Sequence, residues 1–136
     1  MKKIKVRWEV ECRRVFVETG EVTKNGKDKL MPIDIRALYF DGDFVGPKRY
    51  KVTATRRGGQ YRFSIHYIPE LEKAQWNTLP LPIQPEPTWK RLKEPNGKVR
   101  SYSEQEIKEE LTRYMGEQGE GALWTLLTAI PEKIAA

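Results

Sequence analysis

Residues 4–12 alternate strictly: Ile4, Val6, Trp8, Val10 and Cys12 are apolar, and Lys3, Lys5, Arg7, Glu9, Glu11 and Arg13 are charged. A period of two sends every apolar side chain to one side of an extended chain, so this stretch reads as a half-buried strand. Arg13-Arg14 interrupts the alternation before Val15-Phe16-Val17 resumes an apolar run, which predicts a bulge or bend there. Asn25-Gly26 tolerates positive φ and marks a turn. Residues 33–40 and Phe44-Val45 are rich in strand formers and flank Asp41-Gly42-Asp43, the pattern of a hairpin turning at Asp-Gly.

The next hairpin can be tested by register. A two-residue loop at Gly58-Gly59 pairs Arg57 with Gln60, Arg56 with Tyr61, Ala54 with Phe63, Val52 with Ile65 and Tyr50 with Tyr67. One face then collects Tyr50, Val52, Ala54, Phe63, Ile65 and Tyr67; the other collects Lys51, Thr53, Thr55, Arg57, Gln60, Arg62, Ser64 and His66. A slip of one residue would destroy that segregation.

Residues 79–89 place prolines at 80, 82, 85 and 87, which remove backbone donors and predict an extended strap with Trp76 and Trp89 at its ends to pin it. Ser103 with Glu106 forms a capping-box pattern, and Ile107, Leu111, Tyr114 and Met115 follow at helical spacing. Gly116, Gly119 and Gly121 break that helix, and residues 122–130 form a second, short helix that is apolar nearly all round. The fold class predicted is α+β: an antiparallel meander of about five strands, a proline-rich strap and two C-terminal helices. Residues 1–136 are read as one domain, with a basic β-rich part over 1–78, the strap and a turn over 79–100, and a helical tail over 101–136.

Charge separates these parts. The formal net charge is +6, but residues 1–66 carry 16 Lys/Arg against 8 Asp/Glu, and residues 67–136 carry 9 against 11. A cationic front half attracts polyanions and argues against a nucleic-acid mimic, which needs the opposite sign. One cysteine rules out a disulfide framework within the chain and any multi-cysteine zinc site. The charges at Glu9, Glu11, Arg13 and Arg14 fall where a secretory leader needs an apolar stretch, and no run approaches a membrane span, so a cytoplasmic protein without membrane contact is expected.

The leading functional expectation is a small, non-enzymatic nucleic-acid-binding protein, of unassigned strandedness, whose basic sheet surface contacts phosphates. Lys51, Arg57 and Arg62 are the candidate contacts, with Lys48, Arg49 and Arg56 flanking them. The competing expectation is a protein-binding adaptor or inhibitor, or a homo-oligomer, acting through Pro82 and Pro85 of the strap and through Leu123, Trp124 and Leu127 of the last helix. Enzyme chemistry has weak support. Glu9 with Glu11, or Asp34 with Asp41 and Asp43, is a poor metal set because turn chemistry accounts for Asp-Gly-Asp. Ser64, His66 and Lys51 lack an acid to orient the imidazole, and Cys12 lies in the apolar register of its strand. No cofactor or metal is predicted.

Overall fold

A computed structural model describes residues 6–42, 46, 48–57, 59–76, 78–82, 89–93, 96–98 and 100–133, with the backbone alone at Arg57, Lys73, Glu132 and Lys133. The strands β1 (Arg7–Val22), β2 (Asp28–Gly42), β3 (Lys48–Arg57), β4 (Gln60–Ile68) and β5 (Lys90–Arg91) form an antiparallel sheet in the order β5-β4-β3-β2-β1. The short β6 (Glu132–Lys133) adds to the outer edge of β1 in parallel, opposite Arg13 and Arg14. A short helix, α1 (Lys73–Trp76), follows β4; α2 (Glu104–Met115) and α3 (Gln118–Thr128) follow β5. The α+β meander with C-terminal helices is the architecture the hydrophobic pattern predicts. Of the strap, residues 83–88, Pro85 among them, lie outside the described residues, as do Lys3, Lys5, Asp43, Phe44, Val45 and Gly58.

The β3–β4 register is the one derived from the pattern, from Arg57 opposite Gln60 to Tyr50 opposite Tyr67. Its apolar face joins Leu38 and Phe40 of β2 and is roofed by Ile107, Leu111 and Met115 of α2 and Ala122, Leu123 and Leu126 of α3. The capping box forms: the Glu106 N–H donates to Ser103 Oγ at 3.3 Å, and the Ser103 N–H donates to Glu106 Oε1 at 3.2 Å. Two backbone hydrogen bonds between Phe63 and Tyr102 tie the entry of α2 to the edge of β4.

Three local expectations are corrected. Arg13-Arg14 is not a bulge, because the register runs unbroken from Arg7 opposite Asp41 to Glu18 opposite Leu30; the irregularity lies between Glu18 and Val22, where Gly20 has φ +84°. Asp41-Gly42 is not a turn, since Asp41 and Gly42 are strand residues paired with Arg49 and Lys48. Gly119 and Gly121 do not separate the helices but lie inside α3. A Cβ at Gly119 would stand 2.6 Å from the Leu111 backbone, so the glycine is what lets α3 close on α2.

β1 and β2 outrun the rest of the sheet. The last β2–β3 pair is Arg36 with Ala54, whereas β1 and β2 stay paired out to Val22 and Asp28. Residues 15–22 and 28–35 therefore form a two-stranded ribbon of eight residues per strand, extending about 26 Å past the last β2–β3 pair. Where the ribbon leaves β3 it opens a notch of about 470 Å³, bordered by Arg14, Pro32, Asp34, Thr55 and Arg56.

Candidate polyanion-binding face

Alternation along β3 and β4 distributes the six proposed phosphate-binding cations, and it does not gather them. Lys48 and Arg56 share parity with Tyr50, Val52 and Ala54, so they flank the helix-covered side. There the Lys48 ammonium lies 5.7 Å from the centre of the Tyr67 ring, and the Arg56 guanidinium 5.7 Å from that of Tyr61. Arg49, Lys51 and Arg62 take the opposite face by register. Arg62 is exposed and turns to the sheet edge, donating from Nε to Ser101 Oγ at 3.0 Å. The side chain of Arg57 is outside the described residues.

Arg49 is not a surface cation at all. Both it and Asp41 are fully buried. Arg49 Nε donates to Asp41 Oδ1 at 2.8 Å, and Arg7 Nη2 donates to Asp41 Oδ2 at 2.8 Å. Arg7 Nε and Arg49 Nη2 also donate to Asp41 Oδ2, and the two guanidiniums donate further to backbone carbonyls: Arg49 to Leu79 at 3.1 Å and to Pro80 at 3.4 Å, Arg7 to Leu79 at 2.7 Å and to Trp76 at 3.0 Å. An unpaired charge in this setting would be expelled or neutralised, and the arrangement supplies both a counter-charge and full hydrogen bonding. Asp41, with Arg7 and Arg49, therefore clamps three adjacent strands to the backbone of residues 76–80.

Near this clamp the second face of the sheet is covered by Leu81 and Trp89, which pack on Ala37 and Tyr39. Trp89 is thus held on the sheet, while Trp76 takes part in the clamp through its backbone carbonyl. Beside the covered patch, the register sets Lys51 of β3, His66 of β4 and Arg91 of β5 in one cross-strand row. The Lys51 ammonium stands 5.0 Å from the centre of the Trp89 ring. His66 is pushed down to about 4 from 6.5, first by burial and then by Lys51 and Arg91, with hydrogen bonding to the Lys51 backbone opposing the shift. Every charged group named there is a cation. His66 Nδ1 and Trp89 Nε1 are buried and have no hydrogen-bond partner among the described residues. In the next row, the Thr53 and Ser64 hydroxyls bond each other.

The proposed protein-binding residues also divide. Leu123 is buried in the core, Leu127 is packed against it, and only Trp124, 68% exposed, faces outward. Pro82 is half-buried. The larger apolar surface is the ribbon: Phe16, Val22, Leu30, Met31, Ile33 and Ile35 are six of the eight exposed large apolar side chains among the described residues. Cross-strand pairing puts Val15 with Ile33 and Val17 with Met31 on one face, and Phe16 with Pro32 on the other.

The catalytic alternatives gain nothing from the geometry. Glu11 pairs with Arg13, Asp34 with Arg14 and Asp41 with Arg49, and among the described residues no group of three potential metal ligands forms. The Cys12 thiol is buried, and burial raises its pKa. No described helix is long and apolar enough to cross a membrane. Comparison of the chain with protein-family models, curated proteins and solved structures finds no match.

Arg91 was outside the sequence-derived set. It follows a proline-rich stretch with no alternation to assign it a face, and only its pairing with His66 brings it beside Lys51. The signal available was composition: β3, β4 and β5 contain no Asp or Glu and eight Lys or Arg.

Proposed function

We propose that the protein is a non-enzymatic nucleic-acid-binding module whose contact surface is the carboxylate-free outer half of the sheet. Its core is Lys51, His66 and Arg91, with Arg62 on the same face by register. The observation that carries this reading is that three adjacent strands hold eight cations and no acid. Arg49 is spent on the buried clamp. Cations held in fixed rows attract phosphates through counter-ion release, and arginine adds paired hydrogen bonds. Arg62 is within electrostatic reach of Glu106, whose carboxyl is held low chiefly by its hydrogen bonds with Ser103 and in smaller part by Arg62 and Arg100. The test is fluorescence anisotropy with labelled single- and double-stranded oligonucleotides over a salt series. Binding that weakens linearly in log salt, and that the combined charge reversal of Lys51, Arg62 and Arg91 lowers by at least about tenfold, supports the reading; equal binding by native and reversed chains overturns it.

A second reading, a protein partner or a second copy on the ribbon, is favoured by the ribbon's own surface. Residues 15–35 carry three lysines and four carboxylates, a net charge of −1, with apolar groups exposed on both faces. That is the wrong chemistry for a phosphate backbone and the right one for burial against protein. Light scattering on the purified chain across a concentration series reads out self-association; Phe16→Lys with Ile33→Lys removes it where the ribbon is the contact.

A further inference from the structure

We propose that the helix-side face of the ribbon is a self-recognition surface, on which a second copy of this chain lays its own ribbon face to face and antiparallel. The inference rests on the second reading above and specifies the occupant, the face and the orientation of that contact.

The face is set by where the helices end. Cys12, Arg36, Ala54, Phe63 and Tyr102 form one cross-strand row. Helix α2 starts just after Tyr102 and runs inward, to where Tyr114 stacks on Tyr50. Helix α3 returns and ends at the same row, its Leu126 and Leu127 carbonyls accepting from Arg36 Nη1. Both helices stop there, and the helix side of the sheet continues past the row as bare ribbon. It carries Arg14, Phe16 and Glu18 of β1 opposite Asp34, Pro32 and Leu30 of β2, then Val22 opposite Asp28. Phe16 is 45% exposed and Leu30 48%. Stacked sheets stand about 10 Å apart, and a helix is about 10–12 Å across. A ribbon from another molecule therefore fits the step that the helical layer leaves.

Charge fixes the occupant and its direction. Among the described side chains on this face, the inner end carries Arg14, Arg36 and, across the notch, Arg56, with one carboxylate, Asp34. The outer end carries Glu18 and Asp28, and the centre, Phe16 with Pro32, is uncharged. A surface that is basic at one end, apolar in the middle and acidic at the other is complementary to itself when turned end for end, which is the condition for a two-fold contact. Antiparallel packing sets Glu18 and Asp28 of each copy against Arg14 and Arg56 of the other, with the apolar centres together. A parallel overlay would set acid on acid and base on base. On the opposite face of the ribbon, Arg13 with Glu11 and Lys29 with Glu21 form ion pairs within the chain, so those groups select no direction. A face about 26 Å long and two strands wide offers on the order of 500 Å² per copy, about 1,000 Å² in all, at the lower limit for a specific interface. The dimer is accordingly reversible and concentration-dependent.

Sedimentation velocity on the full chain over a concentration series reads the dimer, and variants read its orientation. The native chain is expected to pass from monomer to dimer and to saturate at two copies. Glu18→Lys with Asp28→Lys, and separately Arg14→Glu with Arg56→Glu, should each weaken self-association at least about tenfold while keeping the native thermal transition. Mixed in equal amounts, the two variants should pair again, because every acidic outer end then meets a basic inner end. Phe16→Lys should abolish the dimer, and Ile33→Lys, on the opposite face, should keep it. Folded charge variants that dimerise like the native chain, or that fail to pair when mixed, overturn the orientation, and a dimer lost with Ile33→Lys but kept with Phe16→Lys overturns the face; each leaves ribbon self-association standing. Assembly beyond two copies overturns the two-fold contact. A native chain that stays monomeric throughout overturns ribbon self-association as well.

Discussion

The outer half of the sheet and the β1–β2 ribbon are built from the same kind of antiparallel hairpin and end with opposite surfaces. In β3 and β4 the apolar side chains other than Ile68 point to the helices, and what remains outward is cationic, hydroxylic or, at Gln60 and His66, neutral and polar. Among the described residues no helix or third strand covers the ribbon, yet it carries Phe16 and Pro32 on one face and Val15, Ile33, Val17 and Met31 on the other. The difference shows that strand alternation alone does not determine a surface. What decides is whether a covering layer reaches the residue: α2 and α3 stop short of the ribbon, so residues of core character are left outside the core.

The two regions meet at Asp41, and the largest effect expected is there. Asp41→Ala leaves the Arg49 charge buried without its carboxylate and should cost about 3–5 kcal/mol, read as loss of the thermal transition at ordinary temperature or a steep fall in its midpoint; an unchanged midpoint would mean that the clamp does not hold the strands together. Next in size is the combined reversal of Lys51, Arg62 and Arg91, which is expected to lower oligonucleotide affinity at least about tenfold while the same substitutions leave any self-association through the ribbon unchanged. The converse pair, Phe16→Lys with Ile33→Lys, should alter stability by less than about 0.5 kcal/mol per site because both are surface positions, remove ribbon contacts, and leave oligonucleotide binding intact. If either set moved both readouts, the two regions would not be separate surfaces.

The smallest effect is a pH dependence that belongs to the cationic half alone. The His66 imidazole is held down at about 4 in the fold against 6.5 ordinarily, so between those values the unfolded chain binds the proton first. His66 thus contributes stability that is fully present above about 6.5 and is lost as pH falls through about 4. Thermal midpoints measured across that window should decline with acidity, and His66→Gln should flatten the decline.

The β3–β4 hairpin was legible because two independent signals, the Gly-Gly loop and the alternation on both flanks, agree on one register. Asp41 and Arg49 were not. Alternation correctly places Arg49 on the face away from the helices, but that face is closed at its position by residues 79–81, whose arrival depends on a chain path with no periodic pattern. The ribbon failed to declare itself for a related reason. Val15-Phe16-Val17 and Ile33 read as core because they are apolar, and no local feature announces that the pairing of β3 with β2 ends at Arg36 and Ala54. Of the proposed contact face, Lys51 and Arg62 were recoverable from the strand pattern, and Arg91 only from tertiary pairing.

The ribbon's two rims are unlike its faces. Along β1, β6 sits beside Arg13 and Arg14, and the irregular stretch from Glu18 to Val22 disturbs the hydrogen-bonding row further out. Along β2, Pro32 has no N–H to offer. Such rims are poor templates for another strand, so the sheet resists growing sideways, copy upon copy, into a fibre. The hydrocarbon exposed on the ribbon's faces is thereby separated from the backbone edges that sheet growth would use.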